Sequence, residues 1–136
     1  MLQINVLPPW NRSRPDLGIE PFEKVNGKWN FRKINEIYFD RAASLLEIAQ
    51  HHGFIPALAP LWCDCLPGTW ASADAAPGHV MPHKCVEPYI RYVVEKFRRF
   101  DQIYLASGDP LFQGEAENGT YLEIMRIIKE MSSVGC

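Results

Sequence analysis

A carboxylate at a sharp corner is the first feature of this chain that could do chemistry. Asp109 lies in Gly108-Asp109-Pro110, directly after the apolar run Ile103-Tyr104-Leu105-Ala106. The glycine allows close approach of backbone and ligand, so Asp109 is placed to act as an acid, a base or a ligand. Gly-Asp-Pro is also ordinary turn chemistry, and a turn residue is the competing reading. A second set is aromatic. Trp10, Trp62 and Trp70 each fall just past an apolar run or in the loop that follows one. Sugar rings present apolar C–H faces that stack on indole, while their hydroxyls need amides and carboxylates. Asn5, Asn11, Asp64 and Asp109 are spaced to supply these. The alternative for each tryptophan is a cap on the core.

Two further constellations are weaker. Cys63, Asp64, Cys65, His79, His83 and Cys85 include metal-ligating types. Their CxC and HxxxHxC spacings match no common zinc pattern, so no metal site is assigned. Thiol catalysis by one of these cysteines lacks an adjacent base or cation to lower its pKa, and a buried thiol is the favoured reading.

The elements that would carry these residues alternate. Leu2–Leu7 reads as a first strand, ended by Pro8-Pro9-Trp10. Residues 11–27 read as a loop that packs through Phe22, with Trp29 just beyond it. A helix runs from Asn30 or Asn35 to His51 or His52, with Tyr38, Ala42, Leu45 and Ala49 at helical spacing and Gly53 at its left-handed stop. Phe54–Leu61 is the second strand, with its prolines confined to ends or a bulge. A long irregular stretch to Lys84 follows, in which Ser72 or Asp74 is placed to start a short helical turn. A second helix over Cys85–Phe100 has Pro88 in its first turn. The third strand, Ile103–Ser107, reads as buried on both faces because nothing polar alternates in it. A third helix is started by the capping box Thr120…Glu123. The order βαβαβα predicts an α/β fold with three consecutive βα units and a parallel sheet. In such sheets the site lies at the carboxyl ends of the strands, where Asp109 and the tryptophans fall.

Composition narrows the functional classes. The chain has 136 residues, 47% of them hydrophobic and 22% charged, with net charge −2. That is one soluble-type domain core, with no basic stripe for nucleic acid and no membrane-length apolar run. Both ends read as cuts through a larger fold, so residues 1–136 are expected to be a fragment of a single domain. Met1 leads straight into strand-like sequence without a signal-peptide pattern, and localisation is left open.

Taken together, INVLPPWNRS, INEIYFDRAASLLEIAQHHGFIPALAPLW and IYLASGD resemble the apiosidase-like family of glycoside hydrolases. The resemblance implies an eight-stranded βα barrel, a partial TIM barrel here, matched roughly over its second to fourth strands. It implies hydrolysis of a carbohydrate by two carboxylates and no cofactor. The acid/base is expected after the fourth barrel strand, which maps onto Asp109, and the nucleophile after the seventh, outside this chain. Trp10, Trp62, Asp64, Trp70 and Asn5 then become substrate-binding expectations. Cys63 and Ser107 depart from glycines that the family tends to have there, which bears on specificity more than on fold. The remaining partners are expected to be the rest of the barrel, or further copies through exposed sheet edges. The isolated chain is expected to be inactive. The alternatives from other classes are a non-catalytic α/β module that binds a carbohydrate or a partner through its rim, and a truncated reading frame with no function of its own.

Overall fold

A computed structural model describes residues 1–8, 18–73, 75, 78–106, 108 and 114–133. Strand β1 is Leu2–Asn5, β2 is Phe22–Val25, β3 is Lys28–Ile34, β4 is Pro56–Ala59 and β5 is Ile103–Tyr104. Helices α1, α2 and α3 are Glu36–His51, His83–Phe97 and Glu115–Ser133, with short 3-10 turns at Cys63–Cys65 and Ala71–Ala73. The three expected strands form one sheet in the order β1-β4-β5, and both pairings are parallel. The chain is therefore mixed α/β, with a central strand buried at every residue. The prolines fit that position. Pro56 opens β4, and Pro60 follows its last residue, so neither removes a donor from the middle of a ladder.

Helix α1 begins where Asn35 caps it. Its side chain accepts from the Ile37 N–H at 3.3 Å, and its amide donates to the Glu20 carbonyl at 2.8 Å. Beyond the helix, Gly53 holds φ +80° and turns the chain towards β4. The core stripe of α1 is Phe39, Ala43 and Leu46. The stripe read from the sequence, Tyr38-Ala42-Leu45-Ala49, lies about one position round the helix and lines an open groove of about 530 Å³ beside β1. Helix α2 lies against both α1 and α3 and buries Val86, Tyr89, Ile90, Val93, Val94 and Phe97.

Several expectations are corrected. Part of the supposed loop before Gly27 is an antiparallel hairpin. Asn26 and Gly27 carry φ 52° and 74° between the paired Val25 and Lys28. Two positive φ values in a two-residue loop are the type I′ geometry that twists with the strands. Phe22 seats the hairpin on α2, with its ring 5.7 Å from that of Tyr89. Helix α2 starts two residues earlier than read, so Pro88 falls in its second turn, where it has no N–H for the Lys84 carbonyl. Helix α3 begins at Glu115, not at Thr120. The Thr120 hydroxyl donates back to the Ala116 carbonyl at 3.0 Å, the intrahelical bond that threonine makes inside a helix. The third strand is not buried on both faces. Ile103 is exposed, because β5 pairs only with β4 among the described residues and its other side opens on a second groove.

Charged residues of α1 face outward and tie it to α2. Lys96 Nζ lies 3.0 Å from Glu36 and 2.6 Å from Asp40, and the Tyr92 hydroxyl donates to Glu36 at 2.7 Å. Arg99 meets Glu47 at 2.6 Å. Hydrogen bonds from Tyr92 first, then Lys96, hold the Glu36 carboxyl below its ordinary 4.5. A depressed carboxylate contributes stability that is complete above the unfolded value and is lost as pH falls through the folded one. Stability should therefore drop as pH falls below about 4.5, and Glu36→Gln should flatten that part of a urea-midpoint titration. The effect is small because the group is exposed. A core change is much larger. Phe39 is fully buried between Tyr38, Tyr92, Tyr89 and Phe97. Phe39→Ala should cost about 3–5 kcal/mol, read as a lower urea midpoint at an unchanged slope.

Candidate active site at the carboxyl ends of the strands

Parallel pairing brings the ends of β1, β4 and β5 to one edge of the sheet. Two tyrosines mark where the ladder stops. The Tyr38 hydroxyl donates to the Val6 carbonyl at 2.8 Å, and the Tyr89 hydroxyl donates to the Pro60 carbonyl at 3.0 Å. Each carbonyl lies one residue past its strand. A carbonyl there has no strand partner, and a buried one would be costly without a donor.

The chain beyond β4 folds on itself rather than wandering. Trp62 is extended, with φ −88° and ψ 159°, and its carbonyl accepts from the Cys65 N–H at 3.0 Å. Thr69 is the hub. Its hydroxyl bonds to the Cys63 carbonyl at 2.5 Å and to the Leu66 carbonyl at 3.0 Å, and it accepts from the Ser72 N–H at 3.2 Å. Met81 N–H closes the loop on the Cys65 carbonyl at 2.7 Å. The hairpin braces this loop through Trp29, whose ring lies 4.0 Å from that of His79 and whose Nε1 donates to Glu20 at 2.9 Å.

The candidate residues are distributed unevenly over this frame. The Trp62 ring fills the space where a side chain on Gly108 would go, so the ends of β4 and β5 are brought into direct contact. The sequence suggested that Gly108 makes room for a ligand. The partner in the structure is an indole. Trp70 follows Thr69 on the hydrogen-bonded loop and is 49% exposed. Asp64 is 1% exposed, so it sits beneath the loop surface, bonded to the Cys65 thiol. Asn5 ends β1 and lines the groove between β1 and α1, together with Leu2, Val6 and Tyr38. Asp109 and Trp10 lie outside the described residues, as do Asn11, Ser107 and Asp74.

The sequence profile of the family described as "Apiosidase-like, catalytic domain" matches residues 1–134. The chain belongs to the apiosidase-like family. A comparison with curated proteins returned no match. Membership gives this apiosidase-like domain a glycoside-hydrolase-like function, with carbohydrate as the class of substrate.

Other chemistry of the apiosidase-like domain can be read from the same loop. Among the described residues, no three His, Cys, Asp or Glu side chains converge on a point where a metal ion could sit. Burial first, and then the adjacent Asp64 carboxylate, push the Cys65 thiol well above its usual range. A thiol in that state is neither a nucleophile nor a ligand at neutral pH.

A third helix starting at Thr120 leaves Glu117 outside it. Together with Glu115 it lies in the first turn of α3 and not in a loop, and it is 9% exposed. Among the described residues its Oε1 has no hydrogen-bond partner, although the positive end of the helix favours a carboxylate there. The signal was available: Gly114 followed by two glutamates is a helix start. In native protein Cys65 should resist iodoacetamide at pH 8 and label only at the rate of unfolding. Peptide mapping by mass spectrometry reads this, and rapid labelling of the folded protein would refute the buried-thiol assignment.

Proposed function

We propose that this chain is a segment of a glycoside hydrolase βα barrel that contributes the general acid/base, Asp109. The observation that carries the reading is the contact of Trp62 with Gly108. It sets an aromatic ring at the carboxyl end of β4 against the residue that precedes Asp109, on the edge of a parallel sheet where α/β enzymes hold their sites. Asp109 protonates the glycosidic oxygen as the bond to the anomeric carbon breaks. The alcohol leaves neutral. A second carboxylate either takes the sugar covalently or deprotonates the attacking water, and the last proton returns to Asp109 in the covalent route. That second carboxylate comes from a strand outside residues 1–136, and about 5–5.5 Å between the two would give retention.

Trp70, half exposed, offers a stacking surface beyond the end of β4, where Trp62 also lies, and Trp10 is a further aromatic residue proposed to stack on the sugar. Asp64, buried beneath the loop, holds the arrangement that presents the rim to a sugar. Asn5 supplies an amide at the end of β1.

The barrel reading is supported by the sheet's two sides. Helix α1 leaves Leu45 and Ile48 exposed along the groove beside β1, and α3 leaves Leu122 and Met125 exposed along a groove of about 550 Å³ beside β5. Flanking βα units of the same barrel would cover both grooves. Without them the edges would pair with other copies, and the isolated segment would not turn over glycosides.

In full-length protein, Asp109→Ala should cut turnover of aryl glycosides with poor leaving groups by roughly 10²–10⁴-fold, the usual worth of proton transfer. Dinitrophenyl glycosides need no protonation and should lose much less. Equal losses on both would mean that Asp109 is not the acid. Binding without any turnover by unsubstituted protein would favour a non-catalytic carbohydrate-binding module.

A further inference from the structure

The β2–β3 hairpin and the loop beyond β4 belong to different connections, and they meet. The hairpin lies between β1 and α1, and the loop lies between β4 and α2, so both follow the carboxyl ends of parallel strands. Two contacts join them. The Trp29 indole and the His79 imidazole are both buried, with centroids 4.0 Å apart. One residue earlier on each side, Gly78 lies against Lys28. A Cβ on Gly78 would stand 2.9 Å from the Lys28 Cα and nearer still to its Cβ and Cγ. Gly78 also holds φ +84°, so glycine is needed there on two counts. The loop packs on the hairpin through backbone as well as through rings.

The two partners are held in different ways. The hairpin is tied to the helices. Phe22 packs on Tyr89 of α2 and on Trp29, with centroids 5.7 and 5.6 Å apart. The Trp29 Nε1 donates to the Glu20 carboxylate at 2.9 Å, and the Glu20 carbonyl accepts from Asn35, the cap of α1, at 2.8 Å. The bonds of the Thr69 hub run within the loop and give it its shape. From His79 a short path leads through that shape to the half-exposed Trp70. Met81, two residues on, donates to the Cys65 carbonyl. The same turn presents the Cys63 carbonyl to the Thr69 hydroxyl, and Trp70 follows Thr69.

We infer that Trp29 is a positioning residue: through His79, Met81 and the Thr69 hub it holds Trp70 where a sugar ring stacks. This rests on the hydrolase reading for its ligand and deepens it by naming the element that sets the sugar platform. Trp29 is 5% exposed, so its indole is not itself a stacking face. A stacking ring works only at a fixed height and tilt. Dispersion is lost steeply once a gap opens between an indole and the C–H face of a sugar. The loop's internal bonds cannot supply that fixed height, because they would move with the loop. A contact with a separate, helix-anchored hairpin can.

The test uses full-length protein in four forms: unsubstituted, Trp29→Leu, Trp70→Ala, and the two substitutions combined. The probe is the 2,4-dinitrophenyl glycoside, from a panel of sugars, that unsubstituted protein turns over best. Trp70→Ala should raise KM roughly tenfold with kcat little changed, as expected when a contact common to ground and transition state is removed. Trp29→Leu should also raise KM, and should add nothing in the Trp70→Ala background, because it acts through that ring. Hydrogen exchange read by mass spectrometry should speed up in Trp29→Leu at the Ser72 and Met81 amides by roughly tenfold or more, and not at the amides of β4. Additive KM losses in the double form, an unchanged KM in Trp29→Leu, or exchange that rises equally in β4 would each overturn the positioning role while leaving the hydrolase reading intact. Turnover of no glycoside in the panel by unsubstituted protein would overturn the hydrolase reading, and the sugar platform with it. If Trp29→Leu does not fold, Gly78→Ala takes its place, since the new methyl must push the loop off Lys28. The same rise in KM, absent in the Trp70→Ala background, is then expected, and an unaltered KM would overturn the inference.

Discussion

The burial of β4 between two parallel neighbours is the constraint on which the rest of this structure depends. Pro56, Ala57, Leu58 and Ala59 are all inside, and small side chains at three of the four let the sheet and its covering layers approach closely. A strand in that position must satisfy its backbone on both sides, and β1 and β5 do so. Because both pairings are parallel, every connection has to return to the same end of the sheet. Helices α1 and α2 make those returns, and the chain segments that can carry chemistry collect at the opposite end. The position of Trp62 beside Gly108 is a consequence of that arrangement, since the two residues follow adjacent strands.

The two outer helices differ from the middle one in a way that pairing alone does not explain. Helix α2 has a single apolar face and buries it. Helices α1 and α3 each carry a buried stripe, Phe39-Ala43-Leu46 and Tyr121-Ile124-Ile127, and a second apolar stripe that remains open. A helix in a layer over a sheet contacts the sheet and also the helices on either side, so a wide apolar arc suits a helix flanked on both sides. The middle helix has both neighbours here and the outer two have one each. The open stripes therefore follow from position in the layer and are not defects of these helices.

This difference also explains what could be read from the sequence. The three strands, their parallel order and the Gly53 stop all came from local signals, namely apolar runs, proline placement and one glycine, while the choice between Asn30 and Asn35 as the start of α1 is made by the hydrogen bond from the Ile37 N–H. The stripe of α1 was placed about one position too far round, because with two apolar arcs on one helix periodicity cannot say which faces the core. The Asn26-Gly27 turn signal sits in a polar stretch with no alternation, which reads as loop although the dipeptide favours a hairpin. The start of α3 was misplaced because Thr120 and Glu123 satisfy a capping pattern that a helix interior can also contain. At the site, the residue types were legible and their burial was not. Nothing in Cys63-Asp64-Cys65 says that the carboxylate lies under the loop, or that Trp62 would reach across to Gly108. Those facts depend on the Thr69 hub and on the meeting of two strand ends far apart in sequence.

The tyrosine hydroxyls at Val6 and Pro60 bear on how such a scaffold could change over time. Each comes from a helix of the supporting layer and holds the first carbonyl past a strand. The sheet is thus closed off from below, without help from the loop above it. Replacing a loop beyond that point leaves the fastening intact. Insertions, deletions and wholesale exchange of the rim can therefore be tried against new ligands while the ladder beneath keeps its length and register. The part of the molecule that must be conserved for folding and the part free to diversify are separated at a single carbonyl on each of these two strands.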